Sequence, residues 1–275
     1  MRWYLGASAA EGGAAGDDSP LYVFEGAFGR DKGKDRGSRR ALRGVRDTYD
    51  VPRLFPSDVE AGSGKGGDLL GLCGARARPP HRWIVHGPAL SGACLHRDPL
   101  STHAWNALLA GRKRWALYPP GVPRRDILTD LLDDRARPDE REASSWFADA
   151  FPRTTELGWR HAGPIHGVQG PGDVIFVPCG WWHAVLNLDT TTAITQNYVS
   201  EDNFAAAWPW VRRGRPKLSA RWLGALDRFR PDLAAIARAV DASGRFLDGE
   251  GRPVPDASSS SSSESSASES EEDDA

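Results

Sequence analysis

Apolar and polar positions alternate in short runs through the middle of this chain. "HRWIVHG" (81–87), "ACLHRDP" (93–99), "AWNALLAG" (104–111), "KRWALYPP" (113–120), "GDVIFVP" (172–178), "WHAVLNL" (182–188) and "TTAITQNYV" (191–199) are rich in β-branched and aromatic residues, with Gly, Pro and Asp between them. That pattern predicts strands and turns. "PLYVFEGAF" (20–28) predicts an earlier strand. "AWNALLAG" and "KRWALYPP" are expected to form a hairpin turning near Ala110–Gly111. Residues 126–152 carry helical spacing and interrupt the series. Many short strands with little βαβ alternation predict a mainly β fold, an antiparallel double-sheet roll.

After Ser200 the period changes. Leu218, Trp222, Leu226 and Phe229 recur at helical intervals, and Pro231 sits where a helix's first residue is expected. Two helices joined at that proline predict a C-terminal helical hairpin, either a cap on the sheet or a surface for homodimerisation. The expected organisation is a loosely ordered start (1–19), a β core with its N-terminal extension (20–200), a helical segment (201–250) and a Ser/acidic tail (251–275). The tail, "SSSSSSSESSASESEEDDA", cannot bury enough apolar area to offset ordering entropy, so disorder is expected there.

Composition adds bounds rather than an answer. Of 275 residues, 40% are hydrophobic and 26% charged, enough for one sizeable core. The formal charge of -2 hides basic runs at 29–46 and 211–222, set against the acidic tail. A basic body suits a polyanionic partner; a solvated surface is the plainer reading of the same residues. Three cysteines, Cys73, Cys94 and Cys179, give no disulfide framework and suggest a reducing compartment. No secretory signal and no run of about 20 apolar residues is present, so a soluble chain without membrane contact is expected.

The chemistry begins with "CLHRDP". On a strand His96 and Asp98 face one side, because side chains alternate with a period of two. A carboxylate inside a roll needs a partner or a metal. His183, opening a strand after a Gly-Trp-Trp corner, is the best third ligand among the seven histidines. Two histidines and one carboxylate form the facial triad that holds iron(II) with open positions left over. The remaining histidines have blander readings. His81 and His86 flank a strand as structural residues, His103 is a residue beside the site or at the surface, and His161 and His166 lie in an exposed Gly/Pro loop. Trp181 and Trp182 read as core.

"HRDPLSTHAWNALLAGRKRWALYPP" and "PGDVIFVPCGWWHAVLNLDTTTAITQNYVS" closely resemble the Jumonji-C (JmjC) family of iron and 2-oxoglutarate oxygenases, specifically its branch combining arginine demethylation with lysyl hydroxylation. The resemblance covers nearly the whole chain before the tail. It implies a double-stranded β-helix of the jelly-roll or cupin kind with flanking helices. It implies His96, Asp98 and His183 as iron ligands, and no catalytic side chain beyond that site. Lys113 and Thr195 match the pair that binds the far carboxylate of 2-oxoglutarate; Asn106 and Tyr22 match residues lining its pocket. Asn197 shares a face with Thr195 by strand parity.

The implied cofactors are Fe(II), 2-oxoglutarate and O2. The implied reaction is hydroxylation of a protein side chain with release of succinate and CO2. Lysyl 5-hydroxylation is favoured over arginine or histone demethylation. Histones or Arg/Ser-rich splicing-type proteins are the implied substrates, and a nuclear chromatin regulator the implied setting, with the cytoplasm second. Two other readings stay open: oxidation of an RNA nucleobase, and a non-catalytic scaffold. The retained set of five binding residues opposes the scaffold. Arg112 stands where the family usually has histidine, and Cys179 where it has glycine. The resemblance implies a longer basic segment ahead of Met1, and a truncated start and a naturally short one both stay open.

Overall fold

The computed structural model describes residues 5–6, 13–17, 19–26, 50–55, 67–128 and 142–243. The acidic tail, the basic run at 29–46 and most of residues 1–19 lie outside the described residues; Ala14–Gly16 form a short 3-10 turn. The described strands are β1 (Val23–Glu25), β2 (Arg82–Gly87), β3 (Gly92–His96), β4 (His103–Ala110), β5 (Lys113–Tyr118), β6 (Ile165–Gln169), β7 (Val174–Val177), β8 (Trp182–Asn187) and β9 (Thr191–Tyr198). They form two antiparallel sheets, ordered β1-β2-β9-β4-β7 and β3-β8-β5-β6. This is the expected roll.

The expected hairpin at Ala110–Gly111 is not a pairing. β4 bonds to β7 and β9, whereas β5 bonds to β6 and β8. Gly111, at φ +77, carries the chain from one sheet to the other. A Cβ there would collide with the Thr190 carbonyl, so glycine is required. A tight turn between two alternating runs looks the same in sequence whether the runs pair or face each other. Here they face each other. Lys113, Trp115 and Leu117 of β5 point inward, opposite Asn106 and Leu108 of β4, and all are buried. The other parity of β5, Ala116 and Tyr118, packs outward with Leu95 and Leu186 beneath Trp146 and Phe147. Those two belong to helix α2 (Ala143–Asp149), which follows α1 (Arg124–Leu128).

β6 was not anticipated. His166 lies on this edge strand and is exposed, as expected of it, while His161 is half-buried with Nε2 2.7 Å from Asp126 Oδ2. Four of the five β6 residues are exposed, so the strand lacks the apolar alternation that marks its neighbours.

Among the described residues the C-terminal region holds three helices rather than a hairpin: α3 (Glu201–Gly214), α4 (Pro216–Phe229) and α5 (Pro231–Ala242). α3 begins with a reciprocal capping box between Ser200 and Asn203 and tolerates Pro209 in its interior. That proline, with Gly214 close behind, masks the helix in the sequence. Pro216 and Pro231 open α4 and α5 at positions where the missing N–H costs nothing. The three helices bury Phe204, Trp208, Trp222, Leu226 and Leu233 against the 3-10 helix Leu69–Cys73. Buried Asp68 fastens this layer to the roll, accepting from Leu70 N, Val199 N and Arg78 Nη2. Trp222 is fully buried and its Nε1 donates to Leu69 O at 2.9 Å. Trp222→Ala is therefore expected to cost about 3–5 kcal/mol, measured as a shift in denaturant midpoint at constant slope. A cost below about 1 kcal/mol would show that the helices do not depend on this core.

No helix among the described residues is long and apolar enough to cross a membrane.

Candidate metal centre and cosubstrate pocket

The site is made by a β-bulge. β3 pairs with β8 as Ala93↔Val185 and then His96↔His183, so three steps on β3 match two on β8. The extra residue reverses the parity of the strand. Leu95 turns outward into the core under α2, and His96 and then Asp98 turn inward. The two imidazoles lie on adjacent strands with ring centroids 4.1 Å apart. The ligand atoms of His96, Asp98 and His183 all fall within 4.8 Å of one another, as the sequence reading requires.

Each ring is held by the backbone just before it. His96 Nδ1 donates to Cys94 O at 2.7 Å, and His183 Nδ1 to Trp181 O at 3.2 Å. A carbonyl only accepts, so Nδ1 carries a proton in both rings, and the neutral tautomer consistent with this leaves the lone pair on Nε2. Burial first, and then the His96 ring alongside, push the His183 pKa down to about 4, with Asp98 opposing. Neutral histidines with free Nε2 are what a metal ligand requires. Asp98 Oδ2 is buried with no hydrogen-bond partner. An orphaned carboxylate oxygen beside two imidazole lone pairs fits a divalent cation and little else. The N,N,O donor set suits ferrous iron.

Two turns aim these residues. After Asp98 the chain passes through Leu100 and Ser101, both at positive φ (57° and 54°), and this strained turn is tied down from two sides. Asn197 Nδ2 donates to Thr102 Oγ1 at 2.8 Å, and Asn203 Nδ2 of α3 donates to Ser101 O at 2.9 Å. Before His183, the Pro178–Trp181 turn contains Gly180 at φ 77, and the Cys179 N–H donates to His103 Nδ1 at 2.9 Å. His103 therefore joins β4 to the turn that delivers the third ligand. Burial lowers its pKa.

The triad opens into a cavity of about 310 Å³ lined by Tyr22, Asn106, Thr195 and Asn197, with Trp83, Trp115 and Val185 among its apolar walls. Asn106 and Thr195 sit opposite each other across β4 and β9. Thr195 Oγ1 donates to Trp105 O, and Asn106 Oδ1 is buried without a partner.

Lys113 does not form a wall of this cavity; Tyr22 links it there. Its Nζ, fully buried, lies 2.7 Å from Tyr22 Oη and 2.7 Å from Asn187 Oδ1. Asn187 escaped the sequence reading. Its signal was its position directly opposite Lys113 on β8, visible only once the register is known. Ser91 escaped too. Burial lowers the Lys113 pKa to about 7 and raises that of the Tyr22 phenol. A lysine enclosed by neutral groups fits an incoming carboxylate.

The other candidates resolve simply. His86 Nδ1 bonds Thr192 Oγ1 between strands at 2.9 Å. Trp181 and Trp182 are half-buried and pack on different cores. The three cysteines are free thiols, and neither Cys94 nor Cys179 belongs to the metal-ligating group. Arg112 pairs bidentately with Asp189 at 2.7 and 3.1 Å on the surface.

Residues 83–198 match the family described as JmjC domain, hydroxylase. The chain is 40% identical over 226 residues to the bifunctional arginine demethylase and lysyl-hydroxylase psr-1 of Caenorhabditis elegans, covering 82% of this chain and 51% of that protein. It is 34% identical over 209 residues to the arginine-specific demethylase JMJ22 of Arabidopsis thaliana, covering 74% and 36%. It is 33% identical over 171 residues to the 2-oxoglutarate and iron-dependent oxygenase JMJD4 of Homo sapiens, covering 62% and 37%. The chain thus spans about half the length of the psr-1 proteins it matches.

Proposed function

This chain belongs to the JmjC hydroxylase family, and from that premise we propose that it is an iron(II)- and 2-oxoglutarate-dependent oxygenase acting on protein side chains. The observation that carries the reading is the convergence of His96, Asp98 and His183 at one end of a cavity whose other polar groups suit a dicarboxylate. Lysyl hydroxylation is the favoured reaction and arginine demethylation the second, in keeping with the activities named for psr-1 and JMJ22. Histones or Arg/Ser-rich proteins as substrates, and a nuclear site of action, belong to the same proposal. The basic run at 211–222, mostly exposed, supports an acidic or nucleic-acid-bound setting for them.

His96 and His183 would hold the metal through Nε2, with Asp98 supplying the carboxylate. Bound there, iron supplies the activation of O2 that couples decarboxylation of 2-oxoglutarate, to succinate and CO2, with hydroxylation of a C–H bond. The protein's own contribution is placement. The backbone carbonyls of Cys94 and Trp181 keep both imidazoles in one tautomer and one orientation. Tyr22, Lys113 and Thr195 would receive the far carboxylate of the cosubstrate, and Asn106 would flank it. Trp83, Trp115 and Val185 line the cavity with apolar surface and would limit water around the bound cosubstrate. Which substrate carbon is presented to the metal decides the product. A hydroxylated methylene is stable, whereas a hydroxylated N-methyl group loses formaldehyde.

Purified chain incubated with iron(II), 2-oxoglutarate and a peptide library containing lysine and methylarginine tests this. Mass spectrometry is expected to show a gain of about 16 on lysine peptides; a loss of about 14 on methylarginine peptides marks demethylation. Bound metal without succinate or any mass change would instead support a scaffold.

A further inference from the structure

The amine of Lys113 has two acceptors within reach, and both are neutral. Tyr22 Oη and Asn187 Oδ1 each lie 2.7 Å from Nζ. The orientation of the Asn187 amide is set by a chain of donors. Ser91 Oγ donates to Pro88 O at 2.6 Å, so it accepts from Asn187 Nδ2 at 2.8 Å, and Asn187 must present its oxygen to the lysine. Ser91 and Asn187 are buried, so water does not compete for these bonds.

Two acceptors satisfy the two N–H bonds of a neutral amine. An ammonium has a third N–H and a full charge. Among the described residues no carboxylate pairs with Lys113; the face of the Tyr22 ring, its centroid 5.0 Å from Nζ, offers only a weak cation–π attraction. On β5 its neighbour Arg112 is already paired with Asp189 at the surface, and Arg114 lies over the Phe147 and Phe151 rings on the other face. β8 presents Asn187, and β6 presents Gln169, whose amide is taken up by Trp115 Nε1, Asn106 O and Asp173 O. Tyr22 is the titratable group in contact, and burial keeps its phenol neutral. His96, Asp98 and His183 are grouped at the metal centre, apart from the lysine's own partners.

We propose that Asn187 and Tyr22 hold Lys113 as a neutral amine in the empty site, and that the amine takes up one proton from solvent when the cosubstrate's far carboxylate arrives beside it. Asn187 is the positioning residue for this step. The inference rests on the reading of the pocket as a 2-oxoglutarate site. The balance is plain: a solvent proton joins Nζ, the resulting ammonium donates its third N–H to the carboxylate, and no bond breaks elsewhere. Cosubstrate affinity then falls with rising pH, because above the amine's own titration range each binding event must draw a proton from an increasingly dilute supply.

Proton uptake can be read directly. Titration calorimetry of the Mn(II)-loaded chain with 2-oxoglutarate, repeated in buffers of differing ionisation enthalpy, counts protons per binding event. With the amine titrating at about 7, uptake is expected to be about 0.9 proton at pH 8 and about 0.1 at pH 6. The dissociation constant is expected to rise about eightfold from pH 7.5 to pH 8.5. Asn187→Asp replaces one neutral acceptor by a carboxylate of the same shape, so Lys113 is already charged before binding. That variant is expected to take up almost no proton at pH 8 and to bind more weakly. Binding by the natural chain without proton uptake at pH 8 overturns the inference and leaves the pocket assignment standing, as does undiminished uptake in Asn187→Asp. Absence of 2-oxoglutarate binding to the metal-loaded natural chain removes the pocket assignment and the inference together.

Discussion

Asp98→Ala is expected to weaken divalent-metal binding at least a hundredfold and to abolish 2-oxoglutarate turnover, while the apo chain keeps its fold. The first expectation follows from ligand chemistry. Residues that merely support a metal ligand cost about 10–100-fold in affinity when removed, and Asp98 is itself the only carboxylate of the set. The second follows from what Asp98 does without metal. Its Oδ2 has no partner, so its loss leaves no other group unsatisfied. The turn that follows is held by Asn197 and Asn203, not by the carboxylate. Metal titration followed by spectroscopy, alongside thermal unfolding of the apo protein, separates the two effects. If metal binding survives in Asp98→Ala, the triad is not the metal centre. If the apo protein unfolds, Asp98 has a structural role that the hydrogen bonds do not reveal. Asp98→Asn, nearly the same in shape but a weaker ligand, is expected to behave like Asp98→Ala toward metal.

Lys113→Ala is expected to raise the 2-oxoglutarate concentration needed for half-maximal turnover about 10- to 100-fold, with little change in metal affinity. A charge-assisted hydrogen bond contributes about 1.5–3 kcal/mol, and burial places this one at the strong end. Removing the side chain also leaves Asn187 Oδ1 and Tyr22 Oη without their donor, so some loss of stability accompanies the change. Metal binding serves as the internal control, because Lys113 touches none of the three ligands. An unchanged dependence on 2-oxoglutarate would remove Lys113 from the cosubstrate site. A parallel loss of metal affinity would mean that the roll itself has shifted.

Much of this was legible before any coordinates. The alternation in "HRWIVHG", "WHAVLNL" and "TTAITQNYV" marks strands because a pleated strand buried on one face imposes a period of two. Trp222 and Leu226 announce a helix for the corresponding reason. His96 and Asp98 share a face in the structure, as their spacing predicts, but the route is less direct than parity suggests. Had β3 stayed regular from Ala93, His96 would face outward, and only the bulge brings it round. Bulges leave no dependable mark in sequence, since the extra residue is of ordinary type.

Strand partners were the least legible. The turn at Gly111 signals a reversal, but whether the two flanking strands bond to each other or face each other across the interior depends on β7, β8 and β9, more than fifty residues away. The same dependence hid Asn187 and Ser91. Neither carries a pattern of its own: Asn187 matters because β5 places Lys113 opposite it, and Ser91 because it accepts from the Asn187 amide.

The sequence by itself determined the local periodicities, the glycine and proline stops, and the chemical identity of a histidine, an aspartate and a second histidine able to bind one ion. These are properties of single residues and near neighbours, set by backbone sterics and side-chain chemistry. Only the tertiary structure decided which strands share hydrogen bonds, that a bulge turns His96 and Asp98 toward His183, and that Lys113 meets neutral groups alone. Those outcomes depend on distance, burial and local dielectric, and such quantities come into being only when remote segments pack together and exclude water.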